Sequence, residues 1–182
     1  MSSEPQHHRL NATAASLLGF LLDGPKSGWD LVATAQARIG DFWSLTQSQV
    51  YRELAKMADD GLVEAGERGS RERRPYTITE PGRAAFAEWL EREPGDESIR
   101  FPLLLALGFG HHVPPDRLAR WLEHHRQIHA DRLSRYEAVP PIGDPYAAAT
   151  LDFGVRYERA VLDWFDALPP DLRQPQDTRR TA

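Results

Sequence analysis

Between Thr46 and Glu91 the apolar residues change spacing twice, and that succession constrains the fold more than any other feature of the chain. Thr46 is suited to cap a helix from Gln47 to about Asp60, with Gly61 just past its last turn. Leu62-Val63-Glu64-Ala65 then reads as a short strand, Gly66 to Pro75 as a polar, arginine-rich hairpin loop, and Tyr76-Thr77-Ile78-Thr79 as the returning strand. Thr79 caps a further helix from Pro81 to about Glu91, with proline in its first turn.

Two helices are expected ahead of this segment. Asn11 can cap the first, in which Leu10, Ala14, Leu17, Leu18, Leu21 and Leu22 form one apolar stripe until Asp23-Gly24-Pro25 ends it. Ser27 can cap the second, which runs to about Ile39 and stops at Gly40-Asp41. The order helix, helix, helix, strand, loop, strand, helix is the layout of a winged helix-turn-helix. The fold expected is therefore mainly α, with a two-stranded wing over residues 10–93.

Glu93-Pro94-Gly95-Asp96 marks a boundary, after which the strand signals stop. Helices are expected at about Glu97–Leu107, Pro115–Tyr136 and Tyr146–Leu168, separated by Val113-Pro114-Pro115 and by the prolines from Pro140 to Pro145. Residues 94–170 read as a helical dimerisation and effector domain, and residues 1–9 and 171–182 as disordered tails.

Composition removes several function classes. The 182 residues include no cysteine, which excludes disulfides, thiolate catalysis and cysteine metal sites. No apolar run reaches the roughly 18 residues of a membrane span, and the polar start has no signal-peptide core, so the expected location is the cytoplasm. The net charge is −5, and neither half is basic: residues 1–95 hold 11 Lys/Arg against 14 Asp/Glu, residues 96–182 hold 11 against 13. Contact with nucleic acid must then come from a local patch.

The third helix offers such a patch. At 100° per residue Val50, Leu54 and Met57 fall within about 60° of one another and face the core. Ser48, Gln49, Arg52 and Lys56 fall on the opposite side, and Tyr51 at the border. Gln and Arg can bond base edges in pairs, Lys suits phosphate, and a phenol can pack inward while reaching a phosphate. Solvated helix faces carry the same residue types, so position ahead of a wing makes the case. The wing itself holds Arg68, Arg71, Arg73 and Arg74 within seven residues, without lysine, which fits phosphates or a minor groove. The alternative is a winged-helix protein-interaction module in which face and wing are incidental.

Catalysis has little support, and the expectation is no enzyme and no cofactor. Gly24 and Gly28 lack the spacing of a phosphate loop, and no Ser, His and Asp are ordered locally. His125 and His129 have metal-ligand spacing, but no HExxH accompanies them. They project instead into the middle of an apolar arc of Leu118, Trp121, Leu122, Ile128, Leu133 and Tyr136. Glu158 stands likewise amid Leu151, Val155, Val161, Leu162 and Phe165, with Phe153, Tyr157 and Trp164 on a second, aromatic side. A polar residue inside such an arc needs a partner. Two-faced helices of this kind suit an intersubunit bundle. Trp121, Tyr157 and Trp164 are the candidates to border an effector cavity.

The stretch Leu18-Gly19-Phe20-Leu21-Leu22 with Gly24-Pro25-Lys26-Ser27-Gly28-Trp29-Asp30-Leu31 resembles the start of the PadR-like regulator family. So do Phe42-Trp43-Ser44-Leu45-Thr46-Gln47-Ser48-Gln49-Val50-Tyr51, Gly61-Leu62-Val63 and Pro75-Tyr76-Thr77-Ile78-Thr79-Glu80-Pro81-Gly82-Arg83. Gly154, Tyr157 and Trp164 resemble the helical domain of the family's smaller members. The family more often has tyrosine at the Trp29 position and proline at the Arg52 position. The resemblance implies a homodimeric repressor whose two winged domains bind double-stranded DNA at an inverted-repeat operator. It also implies release by a small, often aromatic, molecule.

Overall fold

The computed structural model describes residues 10–67, 74–96 and 99–173. The chain divides into two units that meet at Gly95 and Asp96. Of the expected tails, residues 1–9 and 174–182 lie outside the described residues.

In the first unit, helix α1 (Ala12–Leu21) starts where Asn11 Oδ1 accepts a hydrogen bond from the Ala14 amide at 2.8 Å. Ala14, Ala15, Leu17, Leu18, Phe20 and Leu21 are all buried, so α1 is the central core helix and not a one-sided surface helix. Gly24, at φ +119°, turns the chain into a two-residue strand β1 (Lys26–Ser27). Periodicity cannot reveal so short a strand; its partner defines it. Helix α2 (Gly28–Arg38) follows with a reciprocal cap: the Asp30 amide donates to Ser27 Oγ at 3.2 Å, and the Ser27 amide to Asp30 Oδ2 at 3.1 Å.

A single 3-10 turn (Gly40–Phe42) leads to α3 (Gln47–Asp59), capped by Thr46. Its C-terminus is closed by two backbone bonds, Leu62 N–H to Met57 O at 2.8 Å and Gly61 N–H to Ala58 O at 3.1 Å, with Gly61 at φ +71°. Strands β2 (Val63–Ala65) and β3 (Pro75–Ile78) pair antiparallel, Val63 opposite Ile78 and Ala65 opposite Tyr76. β1 joins the other edge of β3, giving the order β1-β3-β2. Helix α4 (Glu80–Leu90) is capped by Thr79 Oγ1, which accepts from the Gly82 amide at 3.1 Å. Leu17, Leu18, Leu21, Leu31, Val50, Leu54, Met57 and Ile78 form the core that α1, α2, α3 and the sheet share.

The second unit is all helical. The helix expected from about Glu97 begins only at Pro102, as α5 (Pro102–Gly108). Phe101 is extended (φ −117°, ψ 91°), because proline excludes the helical region for the residue before it. A 3-10 turn (Gly110–His112) precedes two 23-residue helices, α6 (Pro115–Glu137) and α7 (Pro145–Ala167). Their cross-links, Arg126 to Asp166 at 3.0 Å and Arg159 to Glu137 at 2.6 Å, advance along one helix as they retreat along the other, so the pair is antiparallel. Pro169 does not end the order. A short helix α8 (Pro170–Arg173) follows, and its Leu172 packs on a core of Leu103, Leu118, Leu122, Phe165 and Leu168. Partial burial of that one leucine gives these residues reason to fold where their polarity alone predicts a tail.

Candidate nucleic-acid interface

Helix α3 divides its side chains sharply. Val50, Glu53, Leu54 and Met57 are buried, while Ser48, Gln49, Tyr51, Arg52 and Lys56 are exposed. Glu53 breaks the apolar pattern of the inner face. Its carboxylate accepts from Asn11 Nδ2 at 3.2 Å, so the residue that caps α1 also holds the back of α3. Sequence reasoning passes over Glu53 because its partner lies 42 residues away. The Arg52 side chain is 70% exposed and its Nε forms a long ion pair with Glu53 Oε1 at 3.9 Å, a contact weak enough at the surface to leave the arm able to reach outward.

Gln49 has a second task. Its Oε1 accepts from both the amide and the hydroxyl of Thr46, each at 3.0 Å, completing the cap of α3. Bidentate recognition of adenine needs the carboxamide oxygen and nitrogen together. In this conformation only the nitrogen is uncommitted to the cap. Tyr51, 44% exposed, lays its ring against Gly28 at the start of α2.

At the wing, the Gly66 amide donates to Pro75 O at 2.8 Å and closes the described part of the hairpin. Arg74 donates from Nε to Gly66 O at 3.0 Å and from Nη2 to Ala65 O at 3.4 Å. Its guanidinium thus braces the wing's base as well as carrying charge. Arg68, Arg71 and Arg73 lie outside the described residues.

In the helical unit, His129 on α6 and Glu158 on α7 are both buried and hydrogen-bonded through Nδ1 and Oε2. The His129 ring stacks on Phe101, with centroids 5.9 Å apart and planes 7° from parallel. Glu158 Oε1 is buried without a hydrogen-bond partner among the described residues; Arg132 Nη1 lies 4.0 Å away. Desolvation, reinforced by His124, His129 and Arg132, holds the His125 imidazole below its ordinary pKa. Desolvation, and then Glu158, raises the Tyr157 phenol above its own. Among the described residues no group of three His, Cys, Asp or Glu side chains could hold a metal ion.

Of the three aromatic effector candidates, Trp121 is 40% exposed, Tyr157 stacks on Phe153 at 6.3 Å, and Trp164 meets Phe165 edge-on at 4.7 Å. A half-open cavity of about 260 Å³ lies beside α6 and α7, walled by Ala119, Leu122, Phe165 and Leu168 and rimmed by the Arg126–Asp166 pair. None of the three lines it. No helix among the described residues is long and apolar enough to cross a membrane.

Four helices with a three-stranded sheet, a wing between the third and fourth helices and an outward polar face on the third define the first unit as a winged helix-turn-helix domain. Residues 17–88 match the family described as "Transcriptional regulator PadR-like family", and residues 99–172 the one described as "Virulence activator alpha C-term". The chain thus carries a domain of the PadR-like family of transcriptional regulators. It is 25% identical, over 84% of its length and 93% of the relative's, to the negative transcriptional regulator PadR of Bacillus subtilis. The structure of that protein in complex with operator DNA superposes with a TM-score of 0.70 at 24% identity, covering 86% of this chain and 96% of that one. The Vibrio cholerae virulence activator AphA superposes with a TM-score of 0.62 at 27% identity, covering 88% and 96%.

Proposed function

We propose that the chain is a sequence-specific DNA-binding transcriptional regulator. In this reading it is a homodimeric repressor that holds an inverted-repeat operator and is released by a small molecule. The observation that carries the reading is the exposed polar face of α3, Ser48, Arg52 and Lys56, on the helix that directly precedes the β2–β3 hairpin in the same domain. Support comes from similarity to B. subtilis PadR, whose structures include complexes with operator DNA and with p-coumaric acid. Arg52 reads bases, Lys56 and the wing arginines supply charge to the backbone, and Gln49 contributes through its amide nitrogen.

Residues 10–93 serve as the DNA-binding domain and residues 94–170 as the dimerisation and effector domain. The helical unit exposes large apolar side chains, among them Leu105 at 68%, Phe109 at 61% and Phe153 at 56%. A second copy would cover them. Trp121, Tyr157 and Trp164 keep part of their rings exposed and offer planar surfaces to an aromatic effector.

A salt-titrated mobility assay tests the reading, with a duplex selected by the wild-type chain from a randomised pool and a scrambled control. Wild-type protein should prefer the selected duplex and lose affinity steeply with salt. Arg52→Ala should weaken the selected duplex by about 1–3 kcal/mol and the control far less. A wild-type chain with neither preference nor salt dependence is a protein-interaction module instead.

A further inference from the structure

We propose that Gly28 is a positioning residue for DNA recognition: it is absent a side chain so that the Tyr51 ring can lie over the start of α2 and present its hydroxyl to a backbone phosphate. This deepens the DNA-binding reading and rests on it. Gly28 opens α2 directly behind the Ser27 cap and is buried. Its backbone does not call for glycine, since among the described residues the positive-φ glycines are Gly24, Gly40 and Gly61. Helix propensity argues against glycine there, because almost any other residue is a better helix former. Space is what remains. A Cβ on Gly28 would lie 2.7 Å from Cε1, 2.8 Å from Cζ and 3.2 Å from Cδ1 of Tyr51, closer than carbon atoms can approach.

All three clashing atoms belong to the far end of a flexible side chain that is 44% exposed. An added methyl group therefore displaces the ring into solvent and leaves the backbone in place. Gly82 shows the opposite case, because its Cβ would meet the carbonyl oxygen of Leu62. Tyr51 stands at the edge of the polar face of α3, one residue before Arg52 and one turn after Ser48. Moving its phenol shifts a hydrogen-bond donor at the rim of that face, where backbone phosphates are held.

The test compares wild type, Gly28→Ala, Tyr51→Ala, Tyr51→Phe and the Gly28→Ala/Tyr51→Ala double variant. Each is measured for melting temperature and for affinity, by fluorescence anisotropy, to the selected duplex and its scrambled control. Gly28→Ala should melt no lower than wild type yet bind both duplexes about tenfold more weakly, the worth of one hydrogen bond to a charged acceptor. Tyr51→Phe, which keeps the ring on Gly28, should lose as much. The salt slope should be unchanged in both, since no cation is removed. The double variant should bind no worse than Tyr51→Ala. Three results overturn the proposal while the DNA-binding reading stands: a folded Gly28→Ala that binds as wild type, one that melts well below it, or an undiminished effect of Gly28→Ala in the Tyr51→Ala background. Failure of the wild-type chain to select any duplex overturns both.

Discussion

His129 and Glu158, 29 residues apart in sequence, meet in the middle of the α6–α7 pair with their side chains 5% and 1% exposed. Each lies within the apolar arc of its own helix, and each is what the other requires. Removing one partner strands the other in a site that water does not reach. Glu158→Ala is therefore expected to destabilise the chain by about 3 kcal/mol, and Glu158→Gln by less because a hydrogen bond survives. The double variant His129→Leu/Glu158→Leu should cost less than either single leucine substitution. Urea unfolding of wild type, the two single leucine variants and the double variant decides; additive costs would show that the pair is not coupled.

His125 gives the helical unit a pH dependence of known sign. Its folded-state pKa lies below the ordinary value of about 6.5, chiefly through desolvation, with His124, His129 and Arg132 adding repulsion. The unfolded chain therefore binds the proton more readily. The stability associated with neutral His125 is complete above the unfolded value and is lost as pH falls through the folded one. Melting temperature should decline between about pH 7 and pH 5, and His125→Gln should flatten that decline. An unchanged profile in His125→Gln would assign the pH dependence to other groups.

Gly82 joins α4 to the sheet by backbone contact. A Cβ there would lie 2.1 Å from Leu62 O and 3.0 Å from Ile78 Cγ1. The Thr79 amide already donates to that Leu62 oxygen at 3.1 Å, so neither side can retreat without losing a bond. Gly82→Ala should cost about 3 kcal/mol, at the upper end of overpacking penalties. Calorimetry on the variant would show a melting temperature lower by several degrees.

Gln49 separates its capping task from its outward one. Glutamate at the same position can accept the same two Thr46 bonds and suits a helix N-terminus. Gln49→Glu should therefore leave stability within about 0.5 kcal/mol of wild type. It should nevertheless weaken the selected duplex by at least about tenfold, through a negative charge set toward phosphates. Equal DNA binding by the variant would place Gln49 outside the interface.

Much of the first unit was legible along the chain because its signals are local. Asn11, Ser27, Thr46 and Thr79 each cap a helix through an amide three residues on, a reach that sequence spacing expresses directly. Gly61 ends α3 where a left-handed residue must stand. The outer face of α3 follows from the 3.6-residue period, since burying Val50, Leu54 and Met57 turns Ser48, Gln49, Arg52 and Lys56 outward. The late start of α5 was also present in the sequence, in the proline after Phe101, but the apolar run through Leu107 masked it.

Partnership across the fold was decided elsewhere. β1 exists because Lys26 finds Tyr76, Glu53 is buried because Asn11 reaches it, and Arg74 braces the wing because Ala65 and Gly66 carbonyls face it. Sequence marked His129 and Glu158 as polar residues in need of partners without pairing them, and it offered no sign that Gly28 makes room for Tyr51. Periodicity and capping report how a residue relates to its near neighbours, so one chain determines the helices, the wing and the exposed polar face. Which side chain lies against which depends on how separate elements pack, and packing is set by the collective fit of the core rather than by any local stretch.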